Sequence, residues 1–166
     1  MPVTNNRQIQ TFAVLKEVYN ELETVTFTEL FGNVPAVTFG DIDEENQFHD
    51  PERVHLVHRV RDGDQEWVQN KSKREIITME IDVVTAWKGR TGTQVLDRLE
   101  AIVVPIYELW HPAAGGFTAP AAGLGNHIME LGGVESCAVN VYPHGDGDGY
   151  MGVASLTLQT IARITA

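Results

Sequence analysis

Cysteine is nearly absent from these 166 residues, and Cys137 stands alone. One thiol cannot form an intrachain disulfide, and a zinc site built on several cysteines is excluded with it. Long apolar runs are missing too. No stretch approaches the roughly 18 consecutive apolar residues of a membrane-spanning helix. The opening MPVTNNRQIQ lacks the charged-then-apolar layout of a secretory signal. The expectation is a protein made and kept in a cytoplasm, with no membrane partner. Positive charge is scarce, with 12 Lys and Arg against 23 Asp and Glu and a net charge of -11. A protein that grips nucleic acid needs a basic footprint, and this balance argues against one. A negative surface does let DNA pass nearby without sticking.

What is present suits one globular domain spanning residues 1–166, with 43% hydrophobic residues to build its core. Residues 5–23 read as an amphipathic helix, with Ile9, Phe12, Leu15, Tyr19 and Leu22 at three- and four-residue steps. VPAVTFG, residues 34–40, reads as a first strand. Residues 41–74 are the least regular and most charged. They open acidic with Asp41, Asp43, Glu44, Glu45 and Asp50, then turn basic with Arg53, Arg59, Arg61, Lys71, Lys73 and Arg74. RVHLVHRV and EWVQNK flank an Asp62-Gly63 turn signal, which predicts a protruding β-hairpin.

EIITMEIDVVTAW, residues 75–87, is the clearest strand, with Ile77, Met79, Ile81 and Val83 on one face. Residues 93–110 predict a second helix capped by Thr93, with Val95, Leu96, Leu99, Ile102, Val103 and Ile106 as its stripe. Pro105 should kink or end it. After a loop over 111–125, NHIMEL allows a short helix closed by Gly132. Two strands follow, VESCAVNVYP and GVASLTLQTIARIT. The expected class is α+β, an antiparallel or mixed β-sheet flanked by two main helices, with the hairpin as an excursion.

The loop joining those last strands, HGDGDGYMG, invites a metal reading. A calcium loop starting at Asp146 has Asp148 at position 3, but then Tyr150 at 5, Met151 at 6 and Thr157 at 12. The pattern fails, and a glycine-rich turn explains the composition. GLGNHI ends in Ile128 where a dinucleotide fingerprint needs glycine, and GRTGT lacks the Lys of a P-loop. His55 and His58 fall on opposite faces of a strand, and His49, His111, His127 and His144 are scattered, which reads as surface histidine. Ser72, Ser136 and Ser155 lie in no nucleophile motif, and Cys137 reads as a small buried hydrophobe. Glu80 and Asp82 share a strand face, as solvated charge. The expectation is a protein that is not an enzyme, with no cofactor and no metal.

In its order of elements the chain resembles the tail terminator proteins of long-tailed bacteriophages. The points of contact are the N-terminal helix, PAVTF, the charged excursion, ITMEIDVVTAW, the helix ending VVPIYELW, NHIMELGG and a final strand pair joined by an acidic glycine turn. The resemblance implies a virion protein at the head-proximal end of the tail, assembled in the host cytoplasm. It implies a homohexameric ring that caps the tail tube, stops its growth and meets head-proximal connector proteins. DNA passes through such a ring without specific binding. Asp41, Asp43, Glu44, Glu45, Arg53, Arg59, Arg61, Lys71, Lys73 and Arg74 are then candidates for subunit or ring contacts. Two other readings compete: a neck adaptor or head-tail completion protein, and a small α+β ligand- or cation-binding protein.

Overall fold

A computed structural model describes residues 11–39, 51–58, 65–69, 72–110 and 128–165. Their order is α1 (Thr11–Glu23), β1 (Ala36–Phe39), β2 (Glu52–His58), β3 (Gln65–Gln69), β4 (Ser72–Thr85), α2 (Gly92–Leu109), β5 (Ile128–Pro143) and β6 (Tyr150–Thr165). The class is α+β. The six strands form one mixed sheet in the order β1-β2-β4-β6-β5, with β3 also paired to β4. β1 and β2 run parallel, and every other pair is antiparallel.

Strict alternation builds the centre of the sheet. In β4, Ile77, Met79, Ile81 and Val83 are buried. Their register partners in β6 include Leu158, Leu156 and Ala154, which are buried on the same face. Val54 and Leu56 of β2 continue that layer. Both helices pack onto it, α1 through Val14, Leu15, Val18 and Leu22, and α2 through Val95, Leu99, Ile102 and Ile106. At the end of α2, Trp110 is fully buried and its Nε1 donates to Glu21 Oε2 at 2.6 Å, joining the two helices. The opposite face carries the polar alternates. There Ser155 Oγ donates to Asp82 Oδ1 at 2.6 Å and Gln159 Nε2 to Thr78 Oγ1 at 3.3 Å.

The helix stripes differ from the expected ones by the residues left over. Phe12 is exposed on α1, and on α2 Leu96 is exposed while Val103 is only half-buried. Arg98 takes a buried place in α2 that periodicity reserves for an apolar residue. The α2 cap is Thr91, not Thr93: Thr91 Oγ1 accepts from Gln94 N, and Gln94 Oε1 accepts from Thr91 N, a reciprocal capping box. The helix passes through Pro105 to Leu109 without ending there.

Two strand expectations need correction. The segment read as a short helix at NHIMEL is the start of β5 from Ile128 onward, where pairing with β6 sets the conformation. Among the described residues β2 and β3 do not pair with each other. Both lie along β4, β2 from Thr85 to Met79 and β3 from Glu75 to Ser72. The observed hairpin is therefore β3–β4. Asp62-Gly63 and the rest of 59–64 lie outside the described residues.

Candidate functional site

The HGDGDGYMG turn is a clasp. His144 N donates to Gly149 O and Gly147 N to His144 O, closing the β5–β6 hairpin. Asp146 Oδ1 accepts from Asp148 N at 3.2 Å and meets His144 Nδ1 at 2.8 Å, while Oδ2 meets Lys88 Nζ at 2.5 Å. Both carboxylate oxygens are thus already engaged. The Lys88 ammonium, helped by the Asp148 amide, holds the Asp146 carboxyl down at a pKa of about 2. Two backbone bonds, Gly89 N to Asp148 O and Tyr150 N to Arg90 O, fasten the turn to the β4–α2 connection. Gly149 is required there. Its φ is +87°, and a Cβ would stand 2.7 Å from the Arg90 backbone. Among the described residues no group of three His, Cys, Asp or Glu side chains is placed to hold a metal.

A second polar cluster lies inside. Arg98 Nε and Nη2 donate to the two carboxylate oxygens of Glu52 at 2.7 and 2.6 Å. Arg98 Nη1 donates to Thr28 O, and Thr85 Oγ1 donates to Glu52 Oε1. Both charges are buried. The fork-to-fork geometry fixes α2 against β2 and the 24–35 connection. His55, expected at the surface, is also buried, its Nδ1 2.6 Å from Thr38 Oγ1. These groups position the fold.

One surface that folding alone does not explain is the β5 edge. Every residue from Glu135 to Asn140 is exposed. Cys137, expected in the core, is among them, although partial burial of its thiol raises its pKa. Beside β5, the outer side of α2 displays Leu96, Val104 and Tyr107 at 49%, 41% and 40% exposure. Between helix and strand runs a groove of about 260 Å³ floored by Leu99 and Ala154, with Asp97 and Glu100 on its helix side. An uncovered apolar patch of this kind marks an interaction surface.

The expected contact residues are placed unevenly. Asp41, Asp43, Glu44, Glu45, Arg59, Arg61 and Lys71 lie outside the described residues. Lys73 and Arg74 stand on β4 opposite Trp67 and Glu66 of β3. Arg53 is a correction. It sits in β2 between Ala36 of β1 and Val84 of β4, at 9% exposure, because β2 is an inner strand rather than part of a projecting arm. Sequence reading missed the β5–α2 groove. Its signal was the width of the α2 stripe: Leu96, Val103, Val104 and Tyr107 exceed what one buried face requires. Among the described residues no helix is long and apolar enough to cross a membrane. Compared with protein-family models and with curated proteins, the chain matches none.

Proposed function

We propose that this chain is an assembly protein of a long-tailed bacteriophage, a tail terminator whose homohexameric ring caps the tail tube. The observation that carries the reading is the exposed apolar β5–α2 surface of the single-sheet fold. A long strand edge with exposed Val139 and Tyr142 next to exposed Leu96, Val104 and Tyr107 is a surface to be covered by another chain. The reading is supported by the α+β class, a mixed sheet with two helices, although NHIMEL is strand where the resemblance had a short helix. In this role the ring adds to the last tube subunit through one face, presents a different face toward the head, and carries no catalytic step. The net charge of -11 suits a ring through which DNA slides without adhering.

The test is growth of purified tail tubes with and without the protein, followed by negative-stain microscopy and light scattering. Rings of six, or protein at tube ends with elongation halted, is the expected result. Protein that joins the head side while tubes keep growing would instead make it a neck adaptor. Protein indifferent to tubes would end the phage-tail reading.

A further inference from the structure

We infer that the turn from Leu30 to Asn33, together with Trp87 and Arg90, docks an acidic segment of a partner protein, a carboxylate next to an apolar side chain. Leu30 N donates to Asn33 O and Asn33 N to Leu30 O, which closes a tight turn. Its central residues, Phe31 and Gly32, have φ of +52° and +76°. A turn with both central residues in the left-handed region favours Asn-Gly, and a bulky residue there is an outlier. Folding gains little in return, because the Phe31 side chain is 69% exposed. Backbone strain that the core does not need is strain of the kind found at binding sites.

Phe31 does not stand alone. Its ring meets Trp87 edge-on with centroids 5.4 Å apart, and the Arg90 guanidinium lies over it, 5.4 Å from its centroid. Trp87 and Arg90 are half-buried. Tryptophan and arginine are the side chains that most often dominate binding energy at protein interfaces. Arg90 also lacks an acid. Among the described residues no carboxylate pairs with it, although the chain has 23 acidic side chains. A guanidinium lying over a ring engages its face and keeps its in-plane N–H fork for an incoming carboxylate.

The surroundings select the occupant. Lys88 is taken by Asp146, and Asp148 adds to the negative field on it, so Arg90 is left as a lone cation. A nucleic-acid backbone is gripped by several cations at once, and a chain of net charge -11 repels it. One carboxylate on Arg90 with an apolar side chain against the Phe31 ring satisfies both halves of the site. The connection that carries Arg90 is also held in place beforehand. Gly89 N bonds Asp148 O and Tyr150 N bonds Arg90 O, so little ordering remains to be done on binding.

The test titrates isotope-labelled full-length protein with the peptide acetyl-Glu-Leu-Glu-Leu-amide. Binding is followed by NMR at the Gly32 amide and at the Trp87 indole, whose signal is identified by its loss in Trp87→Phe. Saturable shifts at both are expected. Arg90→Gln should weaken binding about tenfold, and acetyl-Gln-Leu-Gln-Leu-amide should bind the parent as weakly. Phe31→Asn suits the turn, so it should keep or raise the thermal midpoint while abolishing the shift at Trp87. Absence of saturable shifts, or equal shifts with the glutamine peptide, would overturn the inference. So would a fall of the midpoint in Phe31→Asn, which would give the ring to the fold. Tighter binding of a thymidine oligonucleotide than of the acidic peptide would overturn it in favour of nucleic acid. The ring reading keeps its own test in tube growth.

Discussion

β2 and β5 lie toward opposite edges of one sheet and are treated in opposite ways. In β2 five consecutive residues, Glu52 to Leu56, are buried; in β5 six, Glu135 to Asn140, are exposed. β2 has a hydrogen-bonded neighbour on each side, an apolar layer above Val54 and Leu56, and a complete set of partners for the Glu52 carboxylate. Among the described strands β5 has one neighbour, and the helix beside it leaves apolar side chains exposed. The same chain thus closes one side of its sheet internally, down to a buried ion pair. On the other side the described residues leave apolar side chains exposed. Charge is buried at β2, where it serves the fold, and apolar surface is exposed at β5.

The comparison breaks hardest at the ion pair. Arg98→Ala leaves the Glu52 carboxylate buried without its fork, and should cost about 3–5 kcal/mol in denaturant unfolding. Gly152→Ala comes next. A Cβ there would stand 2.5 Å from Val95 Cγ1 and 2.8 Å from Leu99 Cδ1, so these packed side chains of α2 must shift. Overpacking of this kind costs about 1–3 kcal/mol and should lower the thermal midpoint. On the β5 side the prediction changes character. Val139→Asp and Leu96→Asp should each leave unfolding within about 0.5 kcal/mol of the parent, as surface changes do, while abolishing multimers in light scattering. A large loss of stability from either would place those residues in the fold and erase the contrast.

The smallest effect is at the clasp. Asp146 has its pKa lowered to about 2, so its stabilisation is present above the ordinary carboxylate pKa and fades as pH falls through the folded value. Acid titration followed at the 144–150 turn should show loosening only near that lower pH, and Asp146→Asn should remove the step. Raised salt should weaken the same contact, because the Lys88–Asp146 pair is exposed.

The central strands were legible because alternation is unambiguous when both faces differ, as in Ile77, Met79, Ile81 and Val83 against Thr78, Glu80 and Asp82. The turn at HGDGDGYMG was legible from glycine chemistry and from the mismatch at Tyr150 and Met151. Other features depend on partners distant in sequence. Arg98 looks like an interruption in a helix stripe until Glu52, 46 residues away, is brought to it. NHIMEL has no period long enough to separate strand from helix, and β6 decided it. The Asp62-Gly63 signal suggested a partner for β2 that β4 supplies instead. The Thr91 cap was available as a Thr followed three residues later by Gln94, a pattern that Thr93 with Leu96 does not match. The groove was the least legible part, since sequence alone does not say which of several apolar residues a fold will decline to bury.

β6 is the last strand of the sheet, yet it runs between β4 and β5, pairing with Ser72–Thr85 on one side and Ile128–Pro143 on the other. No strand pairing among the described residues joins those two sides until β6 is in place. The pairing of Ser72 with Thr165 closes a loop of more than half the chain, so the sheet must form late and by long-range contacts. A nascent chain cut short before β6 has neither a continuous sheet nor a formed β5–α2 surface. Incomplete copies would be barred from joining any assembly built on that surface, and the order of synthesis would itself act as proofreading.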